Sequence, residues 1–388
     1  MKRLSLIVSF CMVAFAAFAS EELDIYTNLY HGAVSAGERL SILQSVSESN
    51  IDGAGQLYAE ALSQLLREQP TLRGTADTAA ANSLARLLSG LLGSAKYMGA
   101  AGDLWRVVQN FSDPLVKADA LVALGRLRSP DYFDQVVKTL NDLNVASTGD
   151  PEEGGKIAYG AILALEKYQK PEGYLPVFFA STGWYNRRIR DQAAASLPYI
   201  IADPSAPLSS IIMSSSYDYD VKLLALQKEE ASKANDQSKA GVAVQALAQG
   251  WLAATRDVKQ QVILANTRKL AIDMLMRYKA SDAAAVPLLI KSYREGIDLE
   301  EKLGAVAALS SIGSDDSAAA LSSFLMDLNM KRQSGNITQD DERIVRTVIP
   351  ALGATGKPNG RTALRLVQNI DWTNAVKVLA ADALKKLQ

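Results

Sequence analysis

The segment DPLVKADALVALGRL, Asp113 to Leu127, constrains this chain more than any other stretch. It reads as one helix: an acidic cap, a basic residue four places on, and apolar residues three and four apart along one face. Its frame, Asp113–Lys117–Ala120–Leu124, returns as Asn186–Arg190–Ala193–Leu197, as Asp298–Lys302–Ala305–Leu309 and as Thr373–Lys377–Ala380–Leu384. Three copies are eroded. One starts at Asp218 and ends on polar Glu229, one starts at Asp341 with Val345 at the basic place, and one surrounds Ile157 with Ala158 there. Helices that cannot bury their apolar faces alone must stack on neighbours. The repeat therefore predicts an all-α chain of antiparallel helix pairs in series, an α-α superhelix.

Each letter of the frame has a physical role. The first residue accepts hydrogen bonds from free amides of the new helix. Small Ala lets neighbouring helices approach, and Leu fills what space remains. The basic residue is expected to pair with the cap carboxylate or with one in the adjacent repeat, setting register more than stability. Composition agrees: 48% of the 388 residues are hydrophobic and only 7% aromatic, which suits helices packed closely on helices.

DPLVKADALVALGRL, NRRIRDQAAASLP and DLEEKLGAVAALSSIG together resemble the HEAT-repeat family, and specifically the short HEAT-like repeats also found in phycobilin lyases. The resemblance covers roughly residues 111–388. It implies a solenoid of two-helix units that serves as a protein-binding scaffold, and it implies no particular chemistry. Chromophore attachment does not fit an export signal.

Four regions follow. Residues 1–19 read as a cleavable signal peptide, with Lys2 and Arg3, an apolar run from Leu4 to Phe18, and cleavage after Ala19. Export across a bacterial inner membrane to the periplasm or beyond is expected; an uncleaved anchor is the alternative. Cleavage removes Cys11, the single cysteine, so no intrachain disulfide is expected. Residues 20–110 fit the frame poorly and read as an atypical N-terminal helical cap, or alternatively a separate small domain. Residues 111–388 form the repeat solenoid, with a solvated linker at 229–241 that divides it into two blocks.

The loops joining first to second helices emerge at one edge, and two are expected to be long and polar: Asn144 to Gly155 and Asn329 to Asp341. Aromatic residues gather at that edge. Trp184, Tyr185, Arg187, Arg188, Tyr217, Tyr219 and Trp372 are the candidate partner-binding residues, by composition typical of interface hot spots. Phe111 lies at the same place. The competing reading is that these aromatics staple back onto the first turn of each helix.

Catalytic signals are sparse. His31 is the single histidine and reads as a surface or capping residue. No nucleophile elbow, phosphate loop or dinucleotide fingerprint is present, and no metal or other cofactor is expected. A formal net charge of −1 argues against nucleic acid as a partner. The sequence leads to an exported, non-enzymatic scaffold for a protein partner in the cell envelope, without a membrane span after cleavage. One alternative is a carboxylate-dependent enzyme on cell-wall glycan, drawing on Glu152, Glu153, Asp340, Asp341 and Glu342. Another is a chaperone-like or peptide/lipid carrier with an apolar groove.

Overall fold

The computed structural model describes residues 22–49, 51, 53–145, 150–278 and 283–387. The signal peptide, Cys11 and the cleavage position after Ala19 lie outside the described residues. Among those that are described there is no strand. The chain is all-α, with its helices packed as neighbouring pairs, and it divides into two compact units after Ile201.

In the first unit α1 spans residues 22–32, followed by α2 (Ala36–Glu48), α3 (Gly55–Glu68), α4 (Thr75–Ala95) and α5 (Ala101–Asn110). Then come α6 (Pro114–Leu127), α7 (Phe133–Val145), α8 (Pro151–Tyr168), α9 (Tyr174–Thr182) and α10 (Arg187–Ile200). The even-numbered helices form one layer, each packed on the next from α2 to α10. The odd-numbered helices back them. Residues 36–110 thus pack in the same unit as the framed helices and continue their layer.

The second unit holds α11 (Ser205–Met213), α12 (Tyr219–Ala231), α13 (Asp236–Leu252), α14 (Val258–Arg277) and α15 (Ala285–Glu295). It continues with α16 (Leu299–Ile312), α17 (Asp315–Gln333), α18 (Gln339–Ala354), α19 (Arg361–Asn369) and α20 (Asn374–Lys386). Its even helices again form a continuous layer from α12 to α20. The segment 229–241 lies inside this unit and is no solvated linker. Glu229 and Lys239 are both buried, and Lys239 Nζ donates to the Glu230 carbonyl at 2.8 Å and stands 5.0 Å from the Tyr278 ring centre.

The frame explains the layer. Ala120, Ala161, Ala193, Ala225, Ala305 and Ala380 are all fully buried at the helix contacts. Caps form where expected at three starts: Asp113 accepts from Leu115 and Val116 amides, Asn186 from Ile189, and Asp298 from Glu301. Helix α18 is capped by Thr338, three residues before Asp341. Asp341 returns a bond to the Thr338 amide and so closes a capping box.

Two expectations need correcting. The basic rungs do not pair: Lys117, Arg190, Lys222, Lys302 and Lys377 make no ion pair with a cap or a neighbouring repeat among the described residues. Register comes instead from the small residues and the polar bridges described below. The two edge loops are also shorter than expected. Helix α7 includes Asn144 and α8 begins at Pro151, while α17 runs on to Gln333 and α18 starts at Gln339.

Candidate functional site

The aromatic edge divides into inward and outward members. Tyr185 is buried, and its hydroxyl donates to Asn144 Oδ1 at 3.0 Å. Burial pushes its phenol pKa up. Trp184, half-buried and 4.2 Å from Tyr185 between ring centres, donates its indole N–H to the Leu143 carbonyl at 2.9 Å. The second unit repeats the device. Trp372 is buried and donates to Asn329 Oδ1 at 2.8 Å, while Arg332 stands 5.4 Å from its ring centre. In both units the asparagine amide turns its N–H to the next odd helix: Asn144 to the Pro176 carbonyl at 2.9 Å, Asn329 to Ala363 at 3.1 Å.

Tyr185 and Trp372 are therefore braces rather than docking residues, because each buried polar atom already has its partner. Phe111 is buried too. Tyr217 and Tyr219 stay half-buried at the start of α12, on the wall of a cavity in the second unit. Arg187 and Arg188 are exposed at the start of α10.

Arg188 leads to a groove that the sequence did not reveal. Helices α6 and α8 approach closely because glycines face alanines, and Gly155 of α8 faces the Ile189 side chain of α10. A Cβ added to Gly160 would stand 2.6 Å from the Ala118 Cα, and one on Gly125 would stand 2.4 Å from the Ala164 Cα. Across this face runs a cavity of about 620 Å3. Leu115, Val122, Leu163 and Ile189 supply its apolar strip, and Leu115 remains 39% exposed. None of these four stands out in the sequence, since apolar residues on a helix read equally well as core.

The polar rim carries an uneven charge. Asp119 is taken up by Arg86 at 2.7 Å, and Glu152 by Lys156 at 2.9 Å. The Glu152 hydrogen bond holds the Lys156 pKa above its ordinary value. Arg187 pairs with Asp191 at 3.4 Å. Arg188 has no carboxylate; its guanidinium lies 5.6 Å from the Tyr159 ring centre. Arg190 has no ion pair. These cations crowd the positive end of the α10 dipole, where their own helix repels them and an incoming carboxylate is favoured.

Two of the acids that suggested glycan chemistry are engaged, Glu152 with Lys156 and Asp341 at its capping box. Besides its capping role, Asp341 receives Lys331 at 2.8 Å. Burial opposes its ionisation, but the bonds from Lys331 and Thr338 hold its carboxyl below the usual range. His31 is exposed, 3.8 Å from Glu60. Among the described residues no helix is long and apolar enough to cross a membrane.

No family model matches the sequence, and no curated protein does. Among solved structures, human deoxyhypusine hydroxylase in complex with glycerol aligns at 15% identity over 87% of this chain and 97% of that one, with a TM-score of 0.25. So distant a likeness transfers no residue, substrate or cofactor. The matched chain is named as a hydroxylase, and the expectation of a non-enzymatic protein is withdrawn. The absence of familiar motifs was too narrow a basis for it.

Proposed function

We propose that this protein is a HEAT-like repeat protein, exported through its N-terminal segment, that holds a partner polypeptide in the cell envelope. The partner segment lies across α6, α8 and α10. It presents apolar side chains to Leu115, Val122 and Leu163 and an acidic residue to Arg188. One observation carries this reading: an accessible apolar strip on a face where α6 and α8 pack glycine on alanine, beside Arg188, which lacks a carboxylate partner. A preformed surface of this kind loses little entropy on binding, and apolar contact flanked by complementary charge gives both affinity and selectivity.

The test compares affinity capture by the mature chain with capture by Leu115→Asp and Arg188→Glu variants. Both residues sit on the surface, so the fold is expected to persist. The same partner should be lost with either variant and kept with a control change at exposed Lys138 on α7. Equal recovery with all three would refute the groove. N-terminal sequencing of envelope fractions tests export separately, with Ser20 as the expected first residue.

A further inference from the structure

The second unit contains a cavity of about 660 Å3 between the starts of α12 and α14 and the ends of α11 and α13. This volume lies within the range of small-ligand sites. Its charge is arranged in an unusual way. Lys222 lines the cavity and is only 8% exposed, yet its ammonium has no hydrogen bond and no ion pair. Burial of the side chain lowers its pKa from the ordinary lysine value. The stem of Lys222 is buried while its ammonium stays open to solvent at the cavity, where an incoming anion can pair with it.

Three aspartates, Asp218, Asp220 and Asp257, line the same cavity and are exposed. Asp257 accepts from the Lys259 amide and Asp220 from the Val221 amide, each at 2.8 Å. Asp218 occupies the cap position of α12 but makes no capping bond with its side chain. The wall also carries Met213 and Leu252, which are 49% and 74% exposed. A simple anion would suit Lys222 and be repelled by the aspartates. A simple cation would face the reverse. A ligand with one charge of each sign satisfies both.

We propose that this cavity binds a short peptide with free termini. Its carboxylate pairs with Lys222, its ammonium lies among the aspartates, and an apolar side chain rests on Met213 and Leu252. This site is independent of the groove on α6, α8 and α10, and its failure would leave that reading intact.

Calorimetry on the full mature chain tests the assignment. The probe is the tripeptide alanyl-leucyl-alanine, used free, N-acetylated and C-amidated. The free form binds; each blocked form binds at least about tenfold more weakly, the loss expected for one charge-assisted contact. Lys222→Met keeps the apolar stem and removes the preference for a free carboxylate. Asp218→Asn disturbs no cap and weakens the free form while leaving the acetylated form unchanged. Circular dichroism identical to the parent chain certifies both variants. Equal binding of the free and blocked peptides, no binding of any form, or an undiminished carboxylate preference in Lys222→Met would each overturn the proposal.

Discussion

The two units use one repeat frame, and one step from each shows how differently successive helices can be joined, although Gly353 against Ala383 repeats the tight packing in the second unit. In residues 22–201 the α6–α8 step is a matter of shape: Gly125 meets Ala164 and Gly160 meets Ala118, backbone against backbone. In residues 202–388 the α14–α16 step is made by charge. Arg268 donates to both Glu301 oxygens at 2.6 and 3.0 Å and to the Gly250 carbonyl at 3.1 Å, and it lies 4.1 Å from the Trp251 ring centre. The contrast extends to composition. Among the described residues the buried charged side chains are Lys222, Glu229, Lys239, Arg268, Glu301 and Asp341, all in the second unit. A stack of helix pairs thus has two solutions. Close approach needs small residues and little else. A step that takes in long charged side chains needs them to satisfy one another.

The largest effect is expected from breaking the buried pair. Arg268→Met strands the Glu301 carboxylate and should cost about 3–5 kcal/mol, whereas Arg268→Met with Glu301→Leu should recover most of it. Urea unfolding of the three chains measures this, and a failure of the double variant to recover would show that the pair also supplies register. The shape-based step breaks differently. Gly125→Val forces a side chain against the Ala164 backbone and should cost about 1–3 kcal/mol or more, with no rescue by added charge. Faster amide exchange in α6 and α8 would report it.

The shared brace is a control for the comparison. Asn144→Leu and Asn329→Leu each leave an aromatic hydroxyl or indole N–H, and a helix carbonyl, without a partner. Losses of about 1–3 kcal/mol, similar in the two units, are expected by thermal unfolding. The smallest effect concerns Glu229. Burial raises its carboxyl pKa above 4.5, against the Ser205 hydroxyl bond at 2.5 Å. The folded chain therefore holds this proton more tightly than the unfolded one. The stability it contributes is full below pH 4.5 and is lost as pH rises through the elevated folded value. Glu229→Gln keeps an acceptor for Ser205, so its urea midpoint should exceed the parent's at neutral pH and match it at about pH 4.

Much of this architecture is legible in the sequence because it follows from local rules. Asp113, Asn186 and Asp298 announce helix starts, and the framed alanines mark the buried stripe. What joins the helices is not local. Arg268 and Glu301 lie 33 residues apart, and Asn329 and Trp372 lie 43 apart. A charged residue in a helix also reads as surface, so the buried pair leaves no mark. The structure divides the aromatic edge, turning Tyr185 and Trp372 inward while Arg188 faces the groove. Val122 and Leu163 gave no signal because accessible and core leucines share one periodicity. Asn144 and Asn329 were read as the starts of loops, whereas each lies within its helix and ties it to the next odd helix.

The central claim is that the face of α6, α8 and α10 grips a polypeptide. Photocrosslinking in cells with a reactive residue at Val122, compared with one at Lys138 on α7, tests it most directly. A discrete adduct at Val122 that disappears in Arg188→Glu, with none at Lys138, is the predicted result. The same adducts at both positions, or an adduct at Val122 indifferent to Arg188, would contradict it.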